Sequence, residues 1–232
     1  MSNVALHMNP QLTYDADKHE YRIGGRRVPG VTTLLSLSGY FPSQGHYTAE
    51  SRRRGTAVHR ACYLLDEHCP EATTVDEALE VLDLDERLIP YMQGYLAWKR
   101  ESGFIPHRHE FQVCSDKLNI AATPDLYGGF TTGSGIYGVV ELKTWKDAPP
   151  KCQRSAEIQT AAQALMIEEY LGLPVERRVV VALTGNLDHP HRAYVCDRPG
   201  DKNIVAFLAH VFWDRVNSRL LEWTGEEEEA EE

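Results

Sequence analysis

Apolar positions in the first part of the chain change from strand-like to helical spacing. Residues 12–15 and 20–23 are short segments with aromatic or branched side chains that flank a turn region, and Gly24-Gly25 follows them. This pattern predicts an N-terminal β-hairpin. Residues 48–68 then carry apolar side chains three and four residues apart, which predicts a helix with one apolar face.

The helical spacing continues through residues 74–100 and predicts two further helices. Aromatic residues recur there at positions Tyr91, Tyr95 and Trp98. Such a stripe is more often packed in a core than used as a platform for stacked bases. We therefore interpret this segment as a helical insertion that supports the fold.

The sequence pattern in the middle of the chain predicts strands separated by glycine-rich turns. Residues 118–123 predict a strand that leads into Asp125, and residues 136–140 predict a second strand that leads into Glu141. The segments between them are turn material, namely Gly128-Gly129 and residues 132–135. Both acids are therefore expected on neighbouring strands of one hairpin.

A helix and two strands are predicted in the last third. Residues 155–171 have the apolar spacing of a helix that Gly172 ends. Residues 177–183 contain three consecutive valines, which is typical of a buried strand, and residues 192–195 can pair with it. Residues 201–223 predict a closing amphipathic helix. The order of strands and helices is that of an α/β protein.

The chemistry of the predicted hairpin depends on two carboxylates and one lysine. Asp125 and Glu141 offer the hard oxygen ligands that Mg²⁺ or Mn²⁺ prefers. Lys143 returns to the strand face of Glu141, because strand side chains repeat every second residue, and it can orient an attacking water. The set predicts metal-dependent phosphodiester hydrolysis. The alternative is a turn aspartate followed by a solvated strand face.

Three further segments carry a resemblance to a known family. Residues 54–59 read Arg-Gly-Thr-Ala-Val-His, residues 28–35 read Val-Pro-Gly-Val-Thr-Thr-Leu-Leu, and residues 157–163 carry Gln159. With the acidic hairpin they resemble the RecB-like and phage-exonuclease branch of the PD-(D/E)XK nuclease superfamily, in the family's order. The chain departs from the family pattern at Gly30, where serine is usual, and at Gln163, where tyrosine is usual.

The resemblance implies a restriction-endonuclease-like α/β core with a central mixed β-sheet flanked by helices, plus the N-terminal β-hairpin and the helical insertion. The length favours a single domain with elaborations over two small domains. We assign this domain to residues 1–225 and expect residues 226–232, which are almost all glutamate, to form a disordered acidic tail.

The resemblance also implies roles for particular residues. Asp125, Glu141 and the backbone carbonyl of Leu142 would hold one or two Mg²⁺ or Mn²⁺ ions. His59 would complete the coordination shell, and Lys143 would position the water. Gln159 joins the catalytic set, and Glu110 is a candidate for the second metal or its water shell. The alternatives are a surface carboxylate for Glu110 and an ordinary helix histidine for His59.

The overall charge is acidic, which is unusual for a protein that binds DNA. The formal net charge is −10, and it would be −4 without the six glutamates of the tail. A nuclease needs only a local basic path along the phosphates. We expect DNA to contact a small set of side chains, namely Arg52, Arg53, Arg54, Lys146 and Gln163. Each basic residue is otherwise an ordinary solvated charge.

The cysteines and the hydropathy limit which metal sites, disulfides and cellular locations we expect. Five cysteines at scattered spacings suggest neither a disulfide framework nor a zinc site. Only Cys196 follows the Gln159 segment, so the four-thiolate iron–sulfur cluster of some RecB-like relatives is not expected. The chain shows no long apolar run and no signal peptide, so we expect no membrane association and a cytoplasmic location, in the host cell if a phage encodes it.

The preferred functional hypothesis is a metal-dependent DNA exonuclease that serves phage or prophage recombination or replication. A single-strand annealing or replication protein is a candidate partner, and a homo-oligomer is compatible with the family. One alternative is a structure-specific or restriction-type endonuclease. The other is a DNA-binding recombination module without catalysis. The chain contains no phosphate-binding loop of the nucleoside-triphosphatase type, so unwinding would require a partner.

Overall fold

The computed structural model describes residues 11–37, 48–131, 135–145, 147 and 150–223. Two features expected from the sequence lie outside the described residues, namely Lys146 and the acidic tail at residues 226–232. Part of the predicted turn, residues 132–134, also lies outside them. Within the described part, no helix combines the length and the apolar character needed to cross a membrane.

A small antiparallel sheet begins the described chain. Its strands are β1 (Leu12–Asp15), β2 (Glu20–Ile23) and β3 (Arg26–Val28), in that order across the sheet. The predicted hairpin is therefore confirmed, and Gly24 and Gly25, both with positive φ, make the turn that adds a third strand. Helix α1 (Val31–Leu37) follows.

The helical insertion has the predicted position. Helix α2 (Ala49–His68) begins at Thr48, whose side chain accepts a hydrogen bond from the backbone N–H of Ser51. The short helix α3 (Val75–Leu79) and a 3₁₀ turn lead to α4 (Ile89–Ser102), which ends at a left-handed glycine. Tyr95 and Trp98 are buried, as the packing interpretation of the aromatic stripe requires.

The main sheet has five strands in the order β10-β9-β8-β7-β4, and a separate two-stranded sheet joins β5 to β6. Only β8 and β9 run parallel; the other neighbours in the main sheet are antiparallel. The strands are β4 (Phe104–His109), β5 (Val113–Ser115), β6 (Ile120–Ala122), β7 (Leu126–Phe130), β8 (Ile136–Lys143), β9 (Arg177–Leu183) and β10 (His191–Val195).

Helices cover both faces of the main sheet, so the predicted fold class is confirmed. One apolar cluster joins alternate residues of β8 and β9 to α2 and α4. The other joins the opposite sheet face to α1 and to two later helices, α5 (Pro150–Met166) and α6 (Asp201–Asn217). A π-helical turn, Ile167–Leu171, extends α5 to a left-handed Gly172. The α5 face of β8 carries Glu141.

The strand that contains the first acid differs from the prediction. Asp125 does not end the strand before it, because β6 pairs with β5 and stops at Ala122. Instead Asp125 immediately precedes β7, and Gly128-Gly129 lie inside that strand rather than in a turn. The physical reason is close packing: a Cβ atom at Gly128 would lie 2.1 Å from the carbonyl oxygen of Ile105 on β4.

Candidate metal-dependent active site

The register of the β7–β8 hairpin places the two acids side by side. Leu126 pairs with Val140, so Asp125 lies next to Glu141 at the same end of the two strands. The backbone N–H of Leu142 donates a hydrogen bond to Oδ2 of Asp125 at 2.7 Å. The expected neighbourhood of the two acids is therefore present, although it is built by β7 and not by the strand before Asp125.

Two glutamine amides from α5 contact the carboxylate of Glu141. The Nε2 atom of Gln159 donates to Oε1, and the Nε2 atom of Gln163 donates to Oε2, each at 2.7 Å. The two glutamines lie one helical turn apart and therefore face the same side of α5. Glu141 is 2% exposed, so these amides replace much of the hydration that burial removes.

Lys143 lies on the same face of β8 as Glu141, as the two-residue period of a strand predicts. Its Nζ atom donates to Oε1 of Glu141 at 2.5 Å and to Oε1 of Gln159 at 3.2 Å. The lysine, the carboxylate and the amide thus form a closed set of contacts. Its side chain is 23% exposed, so the ammonium remains within reach of solvent.

His59 reaches the acidic pair from α2, on the other face of the sheet. Its Nδ1 atom lies 3.3 Å from Oδ1 of Asp125. At Gly55, helix α2 passes close to the residue that follows β8. A Cβ atom at Gly55 would lie 3.8 Å from Oγ1 of Thr144. That is an ordinary contact distance, so the glycine allows the approach without being required for it.

The charges of the four groups shift one another's pKa values. Burial raises the pKa of Glu141, and the negative charge of Asp125 raises it further, against the opposing effect of Lys143 and Gln163. Burial also opposes the charged forms of Asp125 and His59, but their mutual attraction outweighs it. The pKa of Asp125 is therefore lowered and the pKa of His59 is raised. The site thus brings two carboxyl groups and two basic groups together in a buried place.

The donor chemistry of this site fits a hard divalent cation. Two adjacent carboxylates repel each other, and a bound cation would relieve that repulsion. In the described ranges, however, no three His, Cys, Asp or Glu side chains converge as a metal-binding cluster. Glu141 is engaged with Lys143 and the glutamines, while His59 is engaged with Asp125. A cation would therefore have to exchange with these contacts.

Glu110 lies near the site, directly after the end of β4. It does not lie on a strand, because β4 ends at His109, and it follows in a left-handed backbone conformation with φ 42°. Its N–H donates to the backbone carbonyl of Asp125 at 3.0 Å. The side chain is exposed. The backbone of Glu110 thus positions Asp125, and its role as a metal ligand stays a prediction.

The predicted DNA contacts divide into exposed and buried side chains. Arg52 and Arg53 are exposed on the first turns of α2, in the same helix as His59. Arg54 is half-buried, and within the described part of the chain its buried Nε atom has no hydrogen-bond partner. Gln163 is 1% exposed and holds Glu141. It therefore does not lie on a surface that DNA could reach in this conformation.

Sequence reasoning missed the contribution of the N-terminal sheet. A hydrogen bond of 2.8 Å joins the hydroxyl of Tyr21 on β2 to Oγ1 of Thr123, two residues before Asp125. The ring of Tyr21 also lies against Gly30, where a Cβ atom would be 3.1 Å from it. The glycine at position 30 was the available signal for this contact.

The chain was compared with family models, with curated proteins and with solved structures. No family model matches it, and no curated protein matches it. It is similar to the crystal structure of a "putative exonuclease" from Eubacterium rectale, with a TM-score of 0.48 and 10% identity over 86% of this chain and 77% of that one. It is also similar to SSO0001, with a TM-score of 0.36 and 13% identity over 83% and 87% of the two chains. Likenesses this distant do not establish an activity.

Proposed function

We propose that this protein is a Mg²⁺- or Mn²⁺-dependent deoxyribonuclease that degrades DNA from an end. The observation that carries the proposal is the buried set of Asp125, Glu141 and Lys143 at one end of the β7–β8 hairpin, with Gln159 in contact with both the acid and the lysine. A buried carboxylate pair beside an ammonium group is costly for stability alone. Its chemistry suits hydrolysis of a phosphodiester.

Asp125, Glu141 and the Leu142 carbonyl would hold the cation, with His59 completing the set. A divalent cation bound there would lower the pKa of a bound water and would stabilise negative charge on the phosphate. Lys143 would orient the attacking water, because its ammonium group is fixed by two acceptors. The β7–β8 hairpin carries the carboxylates, the carbonyl and the lysine of this set, and α2 carries His59.

The glutamines support ionisation of Glu141. A buried carboxylate tends to take up a proton, and hydrogen bonds from donors oppose this tendency. Gln159 and Gln163 give one donor to each oxygen of the carboxylate. We assign them to holding Glu141 charged and correctly oriented. An amide is neutral, so it does this without competing with the cation for the site's negative charge.

The end-dependent mode of action rests on the resemblance to end-processing nucleases. The sequence contains no recognisable base-reading module, such as a helix-turn-helix motif or a zinc finger. An enzyme that starts at an end needs contacts to phosphates only. On the same basis the proposal extends to phage or prophage recombination in the cytoplasm, with a single-strand annealing or replication protein as partner.

The test compares linear DNA with covalently closed circles of the same sequence. The purified protein is incubated with each substrate, single- and double-stranded, in Mg²⁺ or Mn²⁺. The proposal expects the linear DNA to be trimmed and the circles to survive, with activity that falls steeply as salt rises. Rapid linearisation of closed circles at the same enzyme concentration would instead support an endonuclease. Absence of cleavage of every substrate would support the non-catalytic alternative.

A further inference from the structure

Two tyrosine rings are stacked at the edge of the candidate active site. Tyr14 on β1 and Tyr21 on β2 are directly opposite each other in the strand register. Their ring centroids are 4.6 Å apart and the ring planes differ by 28°. Both side chains are half-buried. The pair therefore presents part of an aromatic surface to solvent.

Tyr21 fixes the pair beside the acids. Its hydroxyl is hydrogen-bonded to Thr123, just before Asp125. The pKa shifts of both tyrosines agree with this position. Burial raises the pKa of Tyr21 to about 12, and the charge of Glu141 contributes to the rise. Burial also raises the pKa of Tyr14, and the charge of Glu110 adds to it.

The two rings differ in how the core holds them. Tyr21 packs, together with Leu12 and Ile23 of the same sheet face, against a buried cluster of Val28, Cys114 and Ala121. Tyr14 lies nearer the end of the hairpin. Its hydroxyl is hydrogen-bonded to Nδ1 of His19 at 2.9 Å, and His19 holds a left-handed backbone with φ 48°. The Tyr14 ring is thus oriented by Tyr21 and His19 near the turn that joins β1 to β2.

We propose that Tyr14, backed by Tyr21, is a stacking subsite for an unpaired nucleobase of the DNA strand that enters the Asp125–Glu141 site. The inference rests on the proposed function. Aromatic rings bind successive bases without sequence preference, because every base presents a π-face. The exposed Lys18 in the turn between β1 and β2 can contact a neighbouring phosphate. The substrate of this subsite is single-stranded DNA.

A purely structural role makes a different prediction. Cross-strand aromatic pairs stabilise antiparallel sheets, so a stacked pair alone would require no ligand. The same chain offers a matched pair for comparison. Tyr137 on β8 is stacked on Tyr127, with centroids 6.0 Å apart and planes 13° apart, and it is 38% exposed. It lies four residues before Glu141, about 13 Å along the strand. Of Tyr14 and Tyr137, we therefore expect only Tyr14 to affect the affinity for single-stranded DNA.

The direct test is photochemical crosslinking of the unsubstituted protein. A set of single-stranded DNA oligonucleotides carries one 5-iodo-2′-deoxyuridine at successive positions from an end, and EDTA prevents cleavage. After irradiation, crosslinked peptides are identified by mass spectrometry. We expect one or two adjacent positions to crosslink to Tyr14. Crosslinks that form only with peptides outside residues 12–23 would overturn the inference, and this measurement needs no variant to fold.

The second test uses variants of Tyr14 and Tyr137. Tyr14→Thr keeps strand propensity but removes the ring, and we expect Kd for single-stranded DNA and KM to rise by about 5- to 150-fold, with kcat nearly unchanged. Tyr14→Phe should restore binding, because it keeps the ring. Tyr137→Thr, the matched control, should bind as the unsubstituted protein does. Equal affinity of Tyr14→Thr and Tyr137→Thr would contradict the inference.

The two proposals fail in distinguishable ways. If the unsubstituted protein cuts linear DNA and Tyr14 makes no difference, the nuclease function stands and the stacking subsite is rejected. If the unsubstituted protein neither binds nor cuts any DNA, the proposed function is rejected and the subsite with it. Thermal unfolding of each variant, measured in parallel, reports a purely structural effect of the substitution.

Discussion

Gln163 donates a hydrogen bond from Nε2 to Oε2 of Glu141, while its own buried Oε1 atom has no hydrogen-bond partner among the residues that the structure describes. A buried acceptor without a donor costs free energy, so the position is not optimised for stability. The cost is understandable if the amide is retained for its donor, which faces a buried carboxylate.

Replacing Gln163 by methionine tests this relationship. Gln163→Met keeps the approximate shape but leaves Oε2 of Glu141 without that donor, so the pKa of Glu141 should rise further. The carboxylate would then be protonated up to a higher pH. We expect activity to fall roughly tenfold, since a hydrogen bond to a charged group contributes about 1.5–3 kcal/mol. The acid limb of the pH–rate profile should also move to higher pH.

The matched control is Gln93→Met, because Gln93 is an exposed glutamine on α4. It should leave both the rate and the pH profile unchanged. A pH profile of Gln163→Met that coincides with that of the unsubstituted protein would show that the amide does not act on Glu141.

Alanine substitution of Asp125 or Lys143 should abolish cleavage without preventing DNA binding. Each variant removes a group at the point where the cation and the water are proposed to meet. We expect a loss of at least about a hundredfold in kcat, in the range that a positioned acid–base group contributes. Lys117→Ala is the control, since Lys117 also pairs with a glutamate, Glu169, but away from the site. Activity of Lys143→Ala within a few-fold of the Lys117→Ala control would refute its role.

His59 should tune the affinity for the metal. Its pKa is raised above 6.5, so protonated His59 is favoured and protons compete with a cation for the imidazole. Lowering the pH through this raised pKa should therefore weaken Mn²⁺ binding, starting above the pH at which a free imidazole would titrate. His59→Ala should bind Mn²⁺ more weakly and with less pH dependence.

Titration of the two proteins with Mn²⁺ at several pH values measures this directly. The control is His68→Ala, because His68 lies on the same helix and is half-exposed beside Glu67. If His59→Ala and His68→Ala have the same Mn²⁺ dependence, His59 lies outside the coordination shell and serves only as a partner of Asp125.

A second polar cluster, formed by Asp66, Tyr95, Lys99 and His109, should stabilise the fold. Asp66 on α2 is nearly buried and accepts hydrogen bonds from Tyr95 and Lys99, and Nε2 of His109 lies 3.1 Å from its Oδ2 atom. Asp66→Ala would leave the ammonium group of Lys99, whose side chain is largely buried, without its carboxylate partner. We expect a loss of roughly 3–5 kcal/mol in the free energy of unfolding.

Chemical denaturation measures this effect. Asp147→Ala is the control, since Asp147 forms an exposed ion pair with Arg192 and its removal should change the midpoint little. Equal midpoints for the two variants would show that the Asp66 cluster does not stabilise the fold.

Local sequence rules predicted the parts of the site that lie within one element. The two-residue period of β8 placed Lys143 beside Glu141, and the apolar spacing of α5 placed Gln159 and Gln163 on one side of that helix. Helix α2 begins and ends where its capping residue and spacing indicate. These features depend on neighbours a few residues away, which the sequence displays directly.

Features that depend on pairing between distant segments were not predictable in this way. Gly128-Gly129 resemble a turn, but the close approach of β4 makes them the interior of β7. The contact of Tyr21 with Thr123 joins residues about a hundred positions apart, and no local pattern encodes it. Gln163 looked like a surface amide available to DNA, because a helix pattern does not show which strand residue will face it.

The most direct measurement is cleavage of end-labelled linear DNA by the unsubstituted protein and by Glu141→Gln, with Mn²⁺, Mg²⁺ or EDTA. Glu141→Gln preserves the size of the buried side chain, but it removes the charge and turns one of the two accepting oxygens into a donor. Circular dichroism and thermal unfolding therefore accompany the assay, so that loss of activity is read only from folded protein. The account predicts metal-dependent trimming by the unsubstituted protein, none in EDTA, and none by the variant. Cleavage that persists in EDTA, or that is undiminished in Glu141→Gln, would contradict a metal-dependent centre at Asp125 and Glu141.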